Sequence, residues 1–243
     1  MHFLFLTLYP EIFPATLGYG VAGRALKAKT WSYDTLNIRN FATDKHNKVD
    51  DTPYGGGAGM VMKADVLASA IDAAQHMLPN APLLLPSPHG KILTQPYSHQ
   101  LASTHNTYIF ICGRFEAIDQ RIIHHYQPLE VSIGDYILFG GEVASLTIAE
   151  SMLRYVDGVL GNPDTHHEES FMIGKDCAGL LEYPHYTKPP LWNGYHVPEV
   201  LTSGNHQRIN AWRRAQAEAV TQEKRPDLWK EYSNGQRPDD GEK

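Results

Sequence analysis

Cysteine is nearly missing from this chain: Cys112 and Cys177 are the only two in 243 residues. One falls in an apolar, strand-like run and the other in an unpatterned segment, so a disulfide framework is excluded and a reducing compartment is expected. Long apolar runs are missing as well. None approaches the roughly 18 residues of a membrane span, and Phe3 to Leu8 is too short for a signal peptide and is interrupted by Pro10 and Glu11. There is no surplus of positive charge, with 21 Lys and Arg against 27 Asp and Glu for a net −6, which argues against indiscriminate nucleic-acid binding. Metal motifs of the HExxH or CxxC kind do not occur, and the pairs His124-His125 and His166-His167 are adjacent residues that cannot share a helix face, so zinc is not expected. Gly55-Gly56-Gly57-Ala58-Gly59 lacks the Gly-Lys-Ser/Thr ending of a triphosphate loop. Gly18 to Gly23 fits GxGxxG but stands about ten residues beyond the first strand, with Pro10 and Pro14 between, and fails the context of a dinucleotide site.

What is present is an ordinary globular composition, 42% hydrophobic and 20% charged, enough for one large domain or two smaller ones. Extended apolar runs at Phe3–Leu8, Thr35–Arg39, Leu83, Tyr108 and Val131 alternate with helix-like patterns at Ala15–Lys29, Asp65–Met77, Tyr97–His105, Ala117–His125 and Ser145–Val156. This alternation predicts an α/β domain over residues 1–160, with a mostly parallel sheet covered on both faces. Residues 161–194 carry four prolines and a polar run with no period, which fits an interdomain linker or a mobile functional loop. Residues 195–243 predict a small all-α domain, with a helix over Asn205–Gln222 capped by Ser203, apolar positions at Ile209, Trp212 and Ala219, a short helix from Pro226, and a disordered tail.

Three of the strand-like runs open at their C-terminal ends into loops rich in glycine or proline: Leu85-Pro86-Ser87-Pro88, Gly113-Arg114-Phe115-Glu116, and the stretch from Ser132 to Gly141. Ligands of open α/β sheets bind there. These loops offer backbone donors and acceptors with little fixed positive charge apart from Arg114, which suits a flat neutral group such as adenine better than a triphosphate.

Together with Asp50-Asp51-Thr52-Pro53-Tyr54 and the glycines after it, Gly158-Val159-Leu160-Gly161, Glu169-Ser170-Phe171, Gly179 through Pro189, and Val197 through His206, these stretches resemble the bacterial tRNA (guanine-N1)-methyltransferase family over nearly the whole chain. The resemblance implies a SPOUT-like fold with a deep trefoil knot, which no periodicity reveals. It also implies S-adenosylmethionine as cofactor, tRNA as substrate at the guanosine 3′ of the anticodon, a homodimer, and magnesium as an accompaniment. Neither a membrane nor DNA is an expected partner, and the expected location is cytoplasmic.

Residue by residue, the resemblance assigns the cofactor to Leu85, Pro86, Ser87 and Pro88; to Gly113 and Glu116; and to Ser132, Ile133, Gly134, Asp135, Tyr136, Ile137, Leu138, Gly140 and Gly141. It assigns the substrate to Asp50, Tyr54, Gly55, Ser170, His185, Trp212, Arg213 and Arg214. Glu169 becomes the general base, with Glu168 as a neighbouring carboxylate that could substitute, and Arg154 the cation that meets guanine O6. Two departures stand out: glutamate at 169 where aspartate is usual, and phenylalanine at 115 where tyrosine is usual. From the residues alone, Arg154 reads rather as an exposed i,i+4 partner of Glu150, and Glu169 as a solvated carboxylate. A methyltransferase of the same fold acting on another RNA position and a noncatalytic RNA-binding homologue remain alternatives. The positive groups from Arg208 to Arg225 are the expected phosphate contacts.

Overall fold

The structure is a computed structural model that describes residues 1–161, 169–171 and 179–235. Glu168, His166, His167 and Cys177 therefore lie outside the described residues. The chain divides into two compact units, Met1–Gly161 and Asn162–Lys243.

The first unit runs β1 (His2–Thr7), α1 (Gly20–Lys27), β2 (Ser32–Asn37), β3 (Asp50–Asp51), β4 (Val61–Met62), α2 (Ala64–Met77), β5 (Leu83–Ile92), α3 (Gln95–Thr104), β6 (Thr107–Ile111), β7 (Ala117–Ile118), α4 (Gln120–Tyr126), β8 (Leu129–Ser132) and α5 (Gly141–Leu153). Five strands form one parallel sheet in the order β2-β1-β6-β5-β8. The α/β fold with a parallel sheet, expected from the alternation, is present.

Strand β1 explains why the sheet needs cover on both faces, since Phe3 through Thr7 are all buried. Its odd residues Phe3 and Phe5 point into an aromatic core with Phe13, Trp31, Tyr108 and Phe110, against α5. Phe5 stacks on Phe13 at 4.2 Å, and Phe3 meets Phe110 edge-on at 5.6 Å. Its even residues Leu4 and Leu6 point into an aliphatic core with Ile109, Ile111, Leu83, Leu85 and the buried face of α2. Strand periodicity thus sorts the two kinds of side chain onto opposite faces.

Several elements differ from the sequence expectation. The helix expected over Ala15–Lys29 is a 3-10 turn at Ala15–Gly18 followed by α1. Its glycines serve packing: a Cβ on Gly23 would fall 2.2 Å from the Gly18 carbonyl oxygen, which explains the GxGxxG match without a nucleotide. The helix expected from Ala117 begins at Gln120, because Ala117–Ile118 pairs with β4 in a small three-stranded sheet, β3-β4-β7. Strands of two residues are too short to show a period of two.

Strand β5 breaks its register against β8. Pro86 and Lys91 both pair with Val131, so Ser87 to Gly90 are extra residues on the β5 side of the ladder. Gly90 passes so close to β8 that a Cβ there would lie 2.3 Å from the Val131 nitrogen and 2.4 Å from the Glu130 carbonyl carbon. Backbone cannot yield as a side-chain tip can. Gly90→Ala is expected to lower stability by about 3 kcal/mol, the upper range for overpacking. A denaturant titration in which the midpoint does not move would show that the crossing is looser than this.

In the second unit, Phe171 donates its N–H to the Leu180 carbonyl at 2.9 Å, and Glu182 donates to Ser170 Oγ at 2.9 Å. A hairpin of β9 (Leu191–Trp192) and β10 (Tyr195–His196) precedes α6 (Glu199–Thr202), α7 (His206–Lys224) and α8 (Pro226–Ser233). The hairpin falls in a stretch that the sequence reading left without strands. The cap of α7 is Asn205, whose side chain accepts from the Arg208 N–H at 3.1 Å, whereas Ser203 closes α6 by donating to the Val200 carbonyl. The buried positions of α7 are Ala217 and Thr221, four apart on one face, while Ala219 is exposed. Thr221 Oγ1 accepts from the Leu181 N–H at 2.9 Å, which ties α7 to the segment after Gly179.

Candidate active site

The irregular middle of β5 and the loops that follow β6 and β8 meet the N-terminal end of α5 around a cavity of about 510 Å³, within the usual size range of a small-molecule site. The bulge of β5 supplies Leu85, Pro86, Ser87 and Pro88. The loop after β6 supplies Gly113 and Glu116. The run after β8 supplies Ser132, Ile133, Gly134, Tyr136, Ile137 and Leu138, with Gly140 and Gly141 at the helix start. Of the residues assigned to the cofactor from the sequence, Asp135 alone does not line this cavity; it is exposed.

Close approach explains the glycines. A Cβ on Gly141 would lie 2.9 Å from the Gly113 nitrogen and 3.0 Å from Cys112 Cα, and the Gly141 N–H donates to the Gly113 carbonyl at 2.7 Å. Two backbone segments therefore touch with nothing between them. Gly134 combines φ +137° with a Cβ position 2.7 Å from the Tyr136 ring. Ser132 Oγ accepts from the Gly134 N–H at 3.2 Å and fixes the start of this loop.

The lining holds little charge. Arg114 and Glu116 contribute, and Arg114 spans more than its loop. Its Nε lies 2.8 Å from Oε2 of Glu142, which is 1% exposed. The N–H is not aligned with that oxygen, so the contact is an ion pair rather than a directed hydrogen bond. Glu142 Oε1 accepts from Thr7 Oγ1 at 2.9 Å, and the Arg114 guanidinium stacks over the Tyr9 ring at 4.5 Å. Sequence reasoning missed Glu142 and Thr7, although Glu142 closes the Gly140-Gly141 run. Cys112 sits beside Ser145 at 3.3 Å, and burial pushes its thiol well above the usual range, so it stays protonated and is no nucleophile.

The substrate-side candidates lie outside the cavity. Asp50 is half-buried in β3, and Tyr54 is fully exposed at the tip of the glycine loop. Gly55, Gly56, Gly57 and Gly59 all have left-handed φ, and Gly59 packs against the Glu116 side chain so closely that a Cβ would sit 2.4 Å from its Cγ. The loop thus abuts the rim residue Glu116. Phe115 also has left-handed φ, +64°, and is exposed.

Arg154 stands at the other end of α5 from the cavity. The helix has 13 residues, which at 1.5 Å per residue is about 20 Å, and Arg154 does not line the cavity. It is half-buried.

In the second unit Glu169 is half-buried beside Ser170. His185 Nε2 lies 2.8 Å from Glu182 Oε1, the Arg213 guanidinium stacks over Tyr183 at 4.7 Å, and Trp212 faces Tyr186 at 6.3 Å. The Tyr183 ring lies 4.9 Å from that of His185 as well, so His185, Trp212 and Arg213 are each set against an aromatic ring. Arg214 is held differently: its Nε meets Glu218 Oε1 at 3.0 Å and its NH2 group donates to the Tyr232 hydroxyl at 3.2 Å. These partners raise its pKa, with Glu218 the largest cause.

Among the described residues, no group of three His, Cys, Asp or Glu side chains is placed to hold a metal, and no helix is long and apolar enough to cross a membrane.

Comparison with known proteins addresses the whole chain. The protein is 55% identical over 227 residues to a tRNA (guanine-N(1)-)-methyltransferase of Chelativorans sp. (strain BNC1), covering 93% of this chain and 94% of that one. It is 56% identical over 223 residues to one of Mesorhizobium japonicum, covering 92% and 94%. A more distant relative of the same description, from Rickettsia rickettsii, is 46% identical over 231 residues, covering 95% and 98%. Residues 1–231 match the family model described as tRNA (Guanine-1)-methyltransferase TrmD, and the chain belongs to that family.

Proposed function

We propose that this protein transfers a methyl group from S-adenosylmethionine to N1 of guanine in tRNA, at the guanosine immediately 3′ of the anticodon. The observation that carries the reading is the cavity at the register break of β5 and the carboxyl ends of β6 and β8, built from backbone and glycine approach with few charges, in a chain whose relatives bear that activity in their names. Adenine fits backbone amides at such loops, and the cavity volume accommodates one nucleoside-sized ligand. When bound, the cofactor supplies an electrophilic methyl on a sulfonium.

The protein must manage one proton and one developing charge. Guanine N1 carries a proton that has to leave, and its loss drives negative charge onto O6. Glu169 takes the proton as general base, and the fixed guanidinium of Arg154 stabilises O6. Within one chain Arg154 lies about 20 Å along α5 from the glycine pair. A homodimer in which the cavity of one protomer faces Arg154 and Glu169 of its partner removes that difficulty, and a two-fold axis would create two such sites. We take the division of labour as residues 1–160 for cofactor, 161–194 carrying the base, and 195–243 for tRNA, in the cytoplasm where tRNA is modified. The trefoil knot belongs to the same proposal and is supported by membership of the family. Among the described residues no three His, Cys, Asp or Glu side chains gather at a site for magnesium.

Labelled cofactor and a tRNA transcript test the activity. Label should enter the RNA, and primer extension should stop at the methylated guanosine because N1 methylation blocks pairing. Label without a stop would instead indicate another position, such as a ribose hydroxyl, and no label would leave a noncatalytic binder.

Binding of tRNA should weaken steeply with salt despite the net charge of −6. Arg213→Ala with Arg214→Ala is expected to flatten the log–log slope by about 1–2, at about 0.9 per lost duplex-like phosphate contact, without altering cofactor affinity. An unchanged slope would remove the helical region from the phosphate contacts.

A further inference from the structure

Next to the cavity lies a set of polar contacts for which methyl transfer has no evident need. Thr7 from the end of β1, Arg114 from the loop after β6, and Glu142 from the first turn of α5 join three separate elements. Glu142 is 1% exposed and its Oε2 has no aligned donor, so this carboxylate is buried with one oxygen answered only by a nearby charge. Burying a carboxylate is unfavourable unless a cation or a helix N-terminus offsets it. Both are present here.

Arg114 itself lines the cavity. A guanidinium is an odd neighbour for the ligand assigned above. S-adenosylmethionine carries a sulfonium and an ammonium against one carboxylate, a net charge of +1. The product after methyl loss keeps only the ammonium and the carboxylate, and is neutral. An uncompensated arginine would favour the product over the substrate.

We propose that Glu142 neutralises Arg114, so that a cavity whose shape depends on this arginine still accepts a cationic cofactor in preference to its uncharged product. The role is one of charge discrimination acting through Arg114, and it rests on the cofactor reading of the cavity. Arg114 remains useful for position: its guanidinium donates to the Phe139 carbonyl at 3.4 Å and packs against Gly140, where a Cβ would lie 2.4 Å from its Nε. Glu116 adds a carboxylate to the lining, on the side of the Gly59 loop.

A purely structural tether makes a different prediction. Loosening it would weaken cofactor and product together, whichever partner is removed. Charge discrimination depends on sign. Calorimetric titration of the full-length protein with S-adenosylmethionine and with S-adenosylhomocysteine gives the ratio of the two dissociation constants. In Glu142→Gln that ratio should shift about tenfold toward the product, the scale of one uncompensated charge acting over several ångströms in a partly solvated site. In Arg114→Gln it should shift toward the cofactor. The double variant should return close to the unaltered ratio even where both affinities fall.

Removing one member of a buried pair is strongly destabilising, so thermal melts accompany each titration. Should Glu142→Gln fail to fold, Arg114→Gln and the double variant decide the matter. Shifts of the same sign in both single variants, or an unchanged ratio in Arg114→Gln, overturn the proposal. Failure of the unaltered protein to bind either molecule overturns the cofactor reading, and this inference with it.

Discussion

Glu169→Gln is expected to lower the methyl-transfer rate by roughly 10²–10⁴-fold, the usual worth of a positioned general base, while S-adenosylmethionine affinity stays nearly unchanged. The substitution keeps the size and one acceptor oxygen of the side chain and removes its ability to take the N1 proton. Glu169 belongs to the second unit, whereas the residues of the cavity all belong to the first, so cofactor binding and proton removal should separate cleanly. Single-turnover rates test this directly. An unchanged rate would pass the role to Glu168 or to solvent. Glu169→Asp should retain most of the activity, because the chemistry is the same and only one methylene of reach is lost.

Much of the first unit was legible because its signals are local. The sheet followed from runs such as Phe3 to Leu8, apolar at successive positions, which only a doubly covered strand requires. The cavity followed from glycines and prolines at strand ends, because close backbone approach leaves its mark on the residue that makes it. Gly141 and Gly134 are glycines for reasons of contact that the structure makes explicit. What stayed hidden was pairing over distance. Glu142 was in view as the end of a glycine run, yet nothing local joins it to Arg114, 28 positions earlier, or to Thr7, 135 positions away. The two-residue strands β3, β4 and β7 carry no period to read. Ser203 and Asn205 are both good capping residues, and only the turn geometry chooses between them. The separation of Arg154 from the glycine pair, by contrast, was available from helix rise alone. It follows from 13 residues and needs no side chain.

A mixed dimer in which one protomer carries Gly113→Val and the other Glu169→Gln should recover about half the activity per dimer, although each parent homodimer is nearly inactive, if two-fold symmetry makes each site from both chains. Gly113 is chosen over Gly141 on steric grounds. A Cβ on Gly141 meets backbone of Gly113 and Cys112 at 2.9–3.2 Å and would strain the fold, whereas a Cβ on Gly113 meets only the end of Ile118 at 3.3 Å, a side chain that also lines the cavity. The added bulk then displaces ligand before it displaces the protein. With shared sites, the blocked cavity of the first protomer faces the glutamine of the second, and the open cavity of the second faces the intact Glu169 of the first. One site carries both defects and the other carries neither. With sites built within one chain, each would carry one defect and the mixed dimer would be as inactive as its parents. Arg154→Ala in place of Glu169→Gln should give the same recovery, because the length of α5 keeps Arg154 away from the cavity of its own chain. Titration should find one S-adenosylmethionine per mixed dimer, which establishes that the open cavity is competent independently of turnover. A mixed dimer that binds one cofactor, is folded and paired, and still fails to turn over would place the base in the same chain as its cavity, or require both sites to be intact at once.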